Sequence, residues 1–113
     1  MAHLFKSMIS EMRARKALRD FRLKSMGHPD DIRIKIRIGD LQQKLGRKEE
    51  AIQTYREVAV DFARKGLMHQ AMAMQKLIFR LDATQTGMQE ELDNIYFQRN
   101  MSLHTFNLSS NLS

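Results

Sequence analysis

Residues 32–45 read Ile-Arg-Ile-Lys-Ile-Arg-Ile-Gly-Asp-Leu-Gln-Gln-Lys-Leu. The first seven of them alternate β-branched and basic residues, which by itself is typical of a strand. The chain has no obvious second strand to pair with it, however, and helical spacing joins Ile34, Ile38, Leu41 and Leu45 without a break. Asp31 precedes this stretch and is a residue type that often caps a helix N-terminus. The sequence therefore predicts a helix over 30–45.

The flanking segments also follow a helical period. Apolar rows predict helices over 48–65, 67–81 and 87–99, and Gly46 and Gly66 stand where helix ends favour glycine. Residues 1–26 contain no Gly or Pro and predict either one long helix, which we favour, or a hairpin that breaks near 11–13. Residues 100–113 are rich in Asn and Ser and predict a polar tail. The expected fold is all-α, with about five to six antiparallel helices.

Composition excludes several classes of protein. A chain of 113 residues with 42% hydrophobic residues is expected to form one domain over 1–99. The absence of Cys excludes a disulfide framework, a thiolate metal site and a cysteine nucleophile. No apolar run approaches the roughly 20 residues of a membrane span, and Lys6 interrupts any signal-type apolar stretch. We therefore expect a soluble cytoplasmic protein.

The positive charge is concentrated at one end of the chain. Residues 1–37 contain ten bases and four acids and account for the whole net charge of +6, whereas 38–113 contain nine of each. Such asymmetry indicates either a solvated helix face or an anionic partner: nucleic acid, lipid headgroups or an acidic protein. Arg13, Arg15 and Arg19 form a candidate basic surface. Nucleic acid is disfavoured because only two aromatic residues, Phe5 and Phe21, lie in this part of the chain.

The chain repeats itself with a period of 34 residues, a spacing found in stacked helical hairpins. Two registers share this period and are offset by 20 residues, so the helix over 48–65 belongs to both. The matching pairs are Ala17 with Ala51, Phe21 with Tyr55, Leu4 with Ile38, Val58 with Leu92, and Phe62 with Tyr96.

These residues resemble the tetratricopeptide repeat (TPR) family. The best unit, 30–65, has small Gly39 in its first helix, turn residue Gly46, small Ala51 opening its second helix and aromatic Tyr55 after it. Residues 66–99 supply further helices, and 1–29 resemble a degenerate N-terminal unit. The stretch Ala-Met-Ala-Met-Gln-Lys-Leu-Ile at 71–78 is similar to TPR proteins of gliding and predatory bacteria. The resemblance implies an α-solenoid of about three hairpins and points to a bacterial motility or cell-polarity system.

The resemblance also implies a groove that holds an extended peptide or a partner helix. The groove positions carried over to this chain are Arg33, Ile36, Arg37, Asp40, Gln43, Lys44, Gln53, Arg56 and Val60. Arg33 and Arg37 are one turn apart on the same side of a helix, so both could reach one carboxylate. They resemble half of the clamp by which some family members hold a C-terminal carboxylate, and Asp40 stands where that clamp has Asn.

We find no catalytic or metal-binding pattern in the sequence. The four His residues are dispersed, and the Gly residues form no phosphate-binding cluster. We therefore expect no enzyme activity, no cofactor and no metal. The leading hypothesis is an adaptor that binds an acidic segment of another protein. The alternatives are binding of nucleic acid or anionic membrane by the basic first helix, and self-association through the helix over 87–99 or the tail.

Overall fold

A computed structural model describes the backbone of residues 2–112 and the side chains of residues 2–103. It contains the helices α1 (Ala2–Gly27), α2 (Ile32–Lys44), α3 (Lys48–Arg64), α4 (Met68–Leu81) and α5 (Met88–Leu112). No strand occurs among the described residues, so the expected all-α class is confirmed. The contacts group the chain into two compact units, Met1–Tyr55 and Arg56–Ser113, and the division falls within α3.

The strand-like stretch is helical, as its apolar spacing predicts. Asp31 has the extended backbone of an N-cap residue, with φ −82° and ψ 99°, and its carboxylate accepts a hydrogen bond from the backbone N–H of Arg33 at 3.0 Å. This cap satisfies one of the amide groups that a helix N-terminus leaves without a partner. α1 is the single long helix that we favoured and ends at Gly27, two residues before Pro29.

The turns after α2 and α3 have the same local structure. Gly46 and Gly66 have positive φ, 74° and 78°. In each turn the residue after the glycine donates its N–H to a carbonyl five residues earlier, Arg47 to Gln42 at 2.9 Å and Leu67 to Phe62 at 2.8 Å. This is the Schellman motif, which requires the left-handed backbone that glycine adopts readily. The 20-residue offset between the sequence registers thus relates two equivalent helix ends.

The end predicted for the last helix at residue 99 is wrong, because α5 continues through residues 100–112 of the expected polar tail. No Gly or Pro occurs after Gly87, and Asn and Ser lower helix propensity without terminating a helix. The helix predicted over 87–99 is therefore only the first half of α5. Packing of the tail over this helix was left open by the sequence. The side chains that would decide it, 104–112, lie outside the described residues, as does residue 113 altogether.

Each unit has its own buried residues. In the first unit, α1 packs against α2 and buries Ala14 and Leu18. Gly39 lies so close to the ring of Tyr55 that a Cβ atom there would be 2.6 Å from Cε1, and Ala51 is fully buried. In the second unit, α4 packs against α5, and the buried side chains of these two helices are Ala71, Met74, Gln75, Ile78, Met88 and Leu92. The small residues at 39 and 51 are therefore both buried.

Candidate partner-binding site

The predicted groove residues are divided between the two units. The first unit contains the seven groove positions up to Gln53, among them Ile36, Asp40 and Gln43. The second unit contains Arg56 and Val60. Within the first unit, Gln53 is exposed and Ile36 is half-buried. The two sets are therefore described separately.

Arg33 and Arg37 line the same small concavity, of about 280 Å³, on the surface of the first unit. Its other lining residues are Phe21, Asp31 and Ile34. The side chain of Arg33 is 91% exposed, with Nε 3.5 Å from Oδ1 of Asp31. The guanidinium carbon of Arg37 lies 5.7 Å from the centroid of the Phe21 ring, within the range of a cation–π interaction. The site combines two cations, one acid and an apolar floor.

Asp31 belongs to this site as well as to the cap of α2. Desolvation, the largest single contribution, raises the pKa of Asp31. Hydrogen bonds from the side chain and backbone of Arg33, the charge of Arg33 and a hydrogen bond from the backbone of Ile34 together outweigh it, so the pKa of Asp31 is lowered. The carboxylate is therefore ionised at neutral pH and partly offsets the positive charge of Arg33.

Asp40 and Gln43, two further groove positions, contact the core residue Tyr55. The Tyr55 hydroxyl donates to Oδ1 of Asp40 at 2.6 Å and lies 3.3 Å from Oε1 of Gln43. Burial, the hydrogen bond to Asp40 and the charge of Asp40 all raise the pKa of Tyr55 far above its usual range. The Asp40 carboxylate thus stabilises the contact between α2 and α3, so the position that corresponds to the clamp Asn is already bonded within the unit.

Lys44 lies at the other end of α2, beside the first turns of α1. It lines one hollow with Lys6, Ile9, Ser10 and Arg13 and an adjacent hollow with Ser7 and Glu11. Lys44 therefore shares its surroundings with residues of α1 rather than with the Arg33 and Arg37 pair, which begins the same helix.

In the second unit, Arg56 is held by its neighbours. Its guanidinium donates to Oε1 of Gln85 at 3.1 Å and contacts Oε2 of Glu91 at 3.4 Å. Val60 is half-buried and lines a concavity of about 500 Å³ that also contains Arg64 and Glu90. This surface has mixed charge, in contrast to the basic first unit.

The candidate basic surface on α1 is exposed. Arg13 and Arg19 are both exposed, and Arg15 forms an ion pair with Glu11 at 2.6 Å, one turn earlier in the same helix. Exposed pairs of this kind contribute little to stability. The three bases therefore form an accessible surface, with one of them partly neutralised by an acid.

Two contributors to the Arg33 and Arg37 site were missing from the sequence prediction. The sequence identifies Phe21 only as one of two aromatic residues in 1–37 and as the 34-residue match of Tyr55. Asp31 was interpreted only as a start signal for α2. Helical spacing places residues of one helix on a common side, but it gives no information on which residue of another helix lies next to them.

No protein-family model matches the chain, and neither a curated protein nor a solved structure matches it. The relation to TPR proteins therefore rests on the sequence resemblance. Among the described residues, no group of three or more His, Asp or Glu side chains could hold a metal ion. In the same part of the chain, the helices are too short or too polar to cross a membrane.

Proposed function

We propose that this chain is a non-catalytic, TPR-like adaptor that binds an acidic or carboxylate-bearing segment of a partner protein. The observation that carries the proposal is the pair of cations, Arg33 and Arg37, at one concavity with Phe21 and Ile34. A carboxylate placed between the two guanidiniums accepts charge-assisted hydrogen bonds, and an apolar side chain next to it packs on the Phe21 ring.

Asp31 does not prevent this binding. A guanidinium has five N–H donors in a planar fork, and the contact with Asp31 involves Nε of Arg33 at 3.5 Å. The terminal nitrogens of Arg33 are thus left for a second carboxylate. Asp31 also selects among ligands, because it repels an acid that approaches from its own side of the concavity.

Local packing supports the TPR-like part of the proposal. The close approach of Gly39 to Tyr55 and the equivalent turns at Gly46 and Gly66 are features that a series of helical hairpins requires. The arrangement of these hairpins as a solenoid and a role in bacterial motility or cell polarity are proposed from the sequence resemblance, and a cytoplasmic location is proposed from the composition.

The test measures binding of a fluorescent peptide of alternating Glu and Leu with a free C-terminal carboxylate, alongside the same peptide with Gln in place of Glu. We expect the acidic peptide to bind better, and Arg33→Ala and Arg37→Ala each to weaken it about tenfold to a hundredfold, because a hydrogen bond to a charged group contributes roughly 1.5–3 kcal/mol. Circular dichroism of each variant serves as the folding control.

The matched controls are Arg13→Ala, Arg15→Ala and Arg19→Ala, which remove the same charge from α1. They should change mainly the association rate, because charges at the rim of an interface steer encounter. Equal losses in all five variants, together with a steep dependence on salt and tight binding of duplex DNA, would contradict the adaptor and favour nucleic acid.

A further inference from the structure

The first three turns of α1 expose a row of large apolar side chains. Leu4, Phe5, Met8 and Met12 are 66%, 63%, 60% and 63% exposed. Leu4, Met8 and Met12 follow one another at intervals of one turn, with Phe5 beside them, so they form a continuous stripe. We call these four residues the α1 stripe. Soluble monomers rarely leave such a contiguous apolar surface bare, so its exposure indicates a binding surface.

The opposite side of the same turns lies near the rest of the unit and is mostly polar, with the half-buried Ile9 as its large apolar residue. Ser7 and Ser10 line a hollow together with Lys44 and Leu45 at the end of α2. A helix that only served the core of this unit would have the reverse arrangement, with apolar residues inward and polar residues outward. The α1 stripe is therefore not an extension of the side of α1 that packs in the core of the unit.

Basic residues follow the stripe on the same outward side. Helical spacing from Met12 leads to Lys16 and Arg19, both exposed, and then to Leu23, which is exposed as well. α1 contains seven bases and two acids in all. Arg15 is paired with Glu11, and Arg22 lies 3.7 Å from Glu50, which leaves the outward side strongly positive.

This charge decides between the occupants of the stripe. In a parallel pair of α1 helices joined through the stripe, Lys16 and Arg19 of one copy would face those of the other, and like charges in contact are repulsive. An antiparallel pair that matches the two stripes would leave these bases outside the contact, so a second copy complements the stripe but not the charge. An anionic lipid surface complements both parts, because its acyl region accepts apolar side chains and its headgroups move laterally to meet bases at any spacing. Helical segments whose apolar face inserts at the interface while nearby bases contact anionic headgroups bind membranes in this way, and in α1 that apolar face is confined to the first three turns.

We propose that α1 docks in the plane of an anionic lipid membrane. The α1 stripe enters the boundary between headgroups and acyl chains, and Lys16 and Arg19 contact lipid phosphates. The helix lies on the membrane surface and does not cross it. This surface is separate from the Arg33 and Arg37 site, so an adaptor anchored in this way keeps its protein-binding concavity.

The chain has no Trp, which allows a single fluorescent reporter to test the insertion. In Phe5→Trp, vesicles of phosphatidylcholine with phosphatidylglycerol should shift the emission to the blue, since the indole leaves water. Vesicles of phosphatidylcholine alone should leave it unchanged. The matched reporter is Phe79→Trp on α4, which should respond to neither. An unshifted Phe5→Trp emission, or an equal shift in both reporters, overturns the proposal.

Vesicle flotation of the unlabelled protein separates the apolar contribution from the charge. We expect Met8→Gln combined with Met12→Gln to lower partitioning at least about tenfold, because two apolar side chains no longer leave water. Lys16→Gln combined with Arg19→Gln should lower it roughly tenfold on anionic vesicles. The matched control, Met72→Gln combined with Arg80→Gln on α4, should float like the wild type.

Three outcomes contradict membrane docking. The first is absence of flotation with anionic vesicles under low salt. The second is a dimer in light scattering that the Met8 and Met12 substitutions dissociate, which would assign the stripe to a second copy. The third is flotation that these substitutions leave unchanged and that added duplex DNA abolishes by competition. That result would indicate that α1 binds anionic surfaces by non-specific electrostatic attraction.

Discussion

The first three turns of α1 and the turns that follow contain similar apolar side chains but differ in how these are buried. Leu4 is 66% exposed, whereas Leu18 is 2% exposed. α2 runs beside α1 from Phe21, which shares a concavity with Arg37, to Ser7, which shares a hollow with Lys44. Met8 and Met12 lie between these points and are nevertheless exposed. Burial in this helix is therefore set by which side of α1 faces α2 rather than by local composition. The covered side stabilises the fold, and the outward side is available for binding.

Replacement of the buried Leu18 and of the exposed Leu4 gives the largest expected difference in stability. Leu18→Ala should lower the free energy of unfolding by about 2–5 kcal/mol, because it leaves a cavity in the core of the first unit. Leu4→Ala should change it by less than about 0.5 kcal/mol, since the side chain is already in water. Urea unfolding followed by far-UV circular dichroism measures both. A similar loss in the two variants would mean that the first turns of α1 are packed in solution, and the comparison would fail.

A second prediction concerns the packed region where α2 meets α3. Gly39→Leu should destabilise the protein by about 1–3 kcal/mol, because any Cβ at this position meets the ring of Tyr55 and the helices must move apart. Gly27→Leu is the matched control, since a Cβ at Gly27 meets no atom within 4 Å. Thermal unfolding compares the two, and an unchanged melting temperature for Gly39→Leu would show that the approach at Gly39 is not tight in solution.

The sequence predicts this packed region well because its signals are local. The spacing from Ile34 to Leu45 identifies α2 despite its alternating start, and Gly46 marks its end through a backbone conformation that glycine favours. The end of the last helix is predicted wrongly at residue 99, because Asn and Ser are common in irregular segments but do not by themselves end a helix. Local composition therefore predicts where a helix is interrupted more reliably than it predicts how far a helix continues.

The candidate site could be predicted only in part. Helical periodicity placed Arg33 and Arg37 on one side of α2, and both do line one concavity. The contribution of Phe21 depends on how α1 lies against α2, which no local pattern specifies. Helical spacing also places Met8 and Met12 on one side of α1 and Ala14 and Phe21 nearly opposite, but it does not indicate which side is covered. Both failures concern tertiary contacts between helices.

The smallest expected effect on stability concerns the hydrogen bond from Tyr55 to Asp40, whose contribution depends on pH. Tyr55→Phe should cost roughly 0.5–1.5 kcal/mol at neutral pH, because the substitution removes the hydroxyl that donates to Asp40, while that exposed carboxylate remains in contact with water. Burial, the hydrogen bond and the charge of Asp40 raise the pKa of Tyr55 in the folded state, whereas the pKa of an unfolded tyrosine is about 10. The contribution is therefore complete below about pH 10 and falls as the pH rises above it, since the unfolded state loses its proton first.

The measurement is the difference in unfolding free energy between wild type and Tyr55→Phe, followed from neutral pH to well above the pKa of a free tyrosine. Taking the difference cancels the titration of every other group that behaves alike in both proteins. We expect it to decrease steadily at high pH, and Leu4→Ala should follow the wild-type profile because it removes no titratable group. A difference that stays constant across this range would mean that Tyr55 is accessible to water in solution. The contact between Gly39 and the tyrosine ring would then be looser than its geometry indicates, and the contrast between packed and uncovered parts of the unit would be correspondingly weaker.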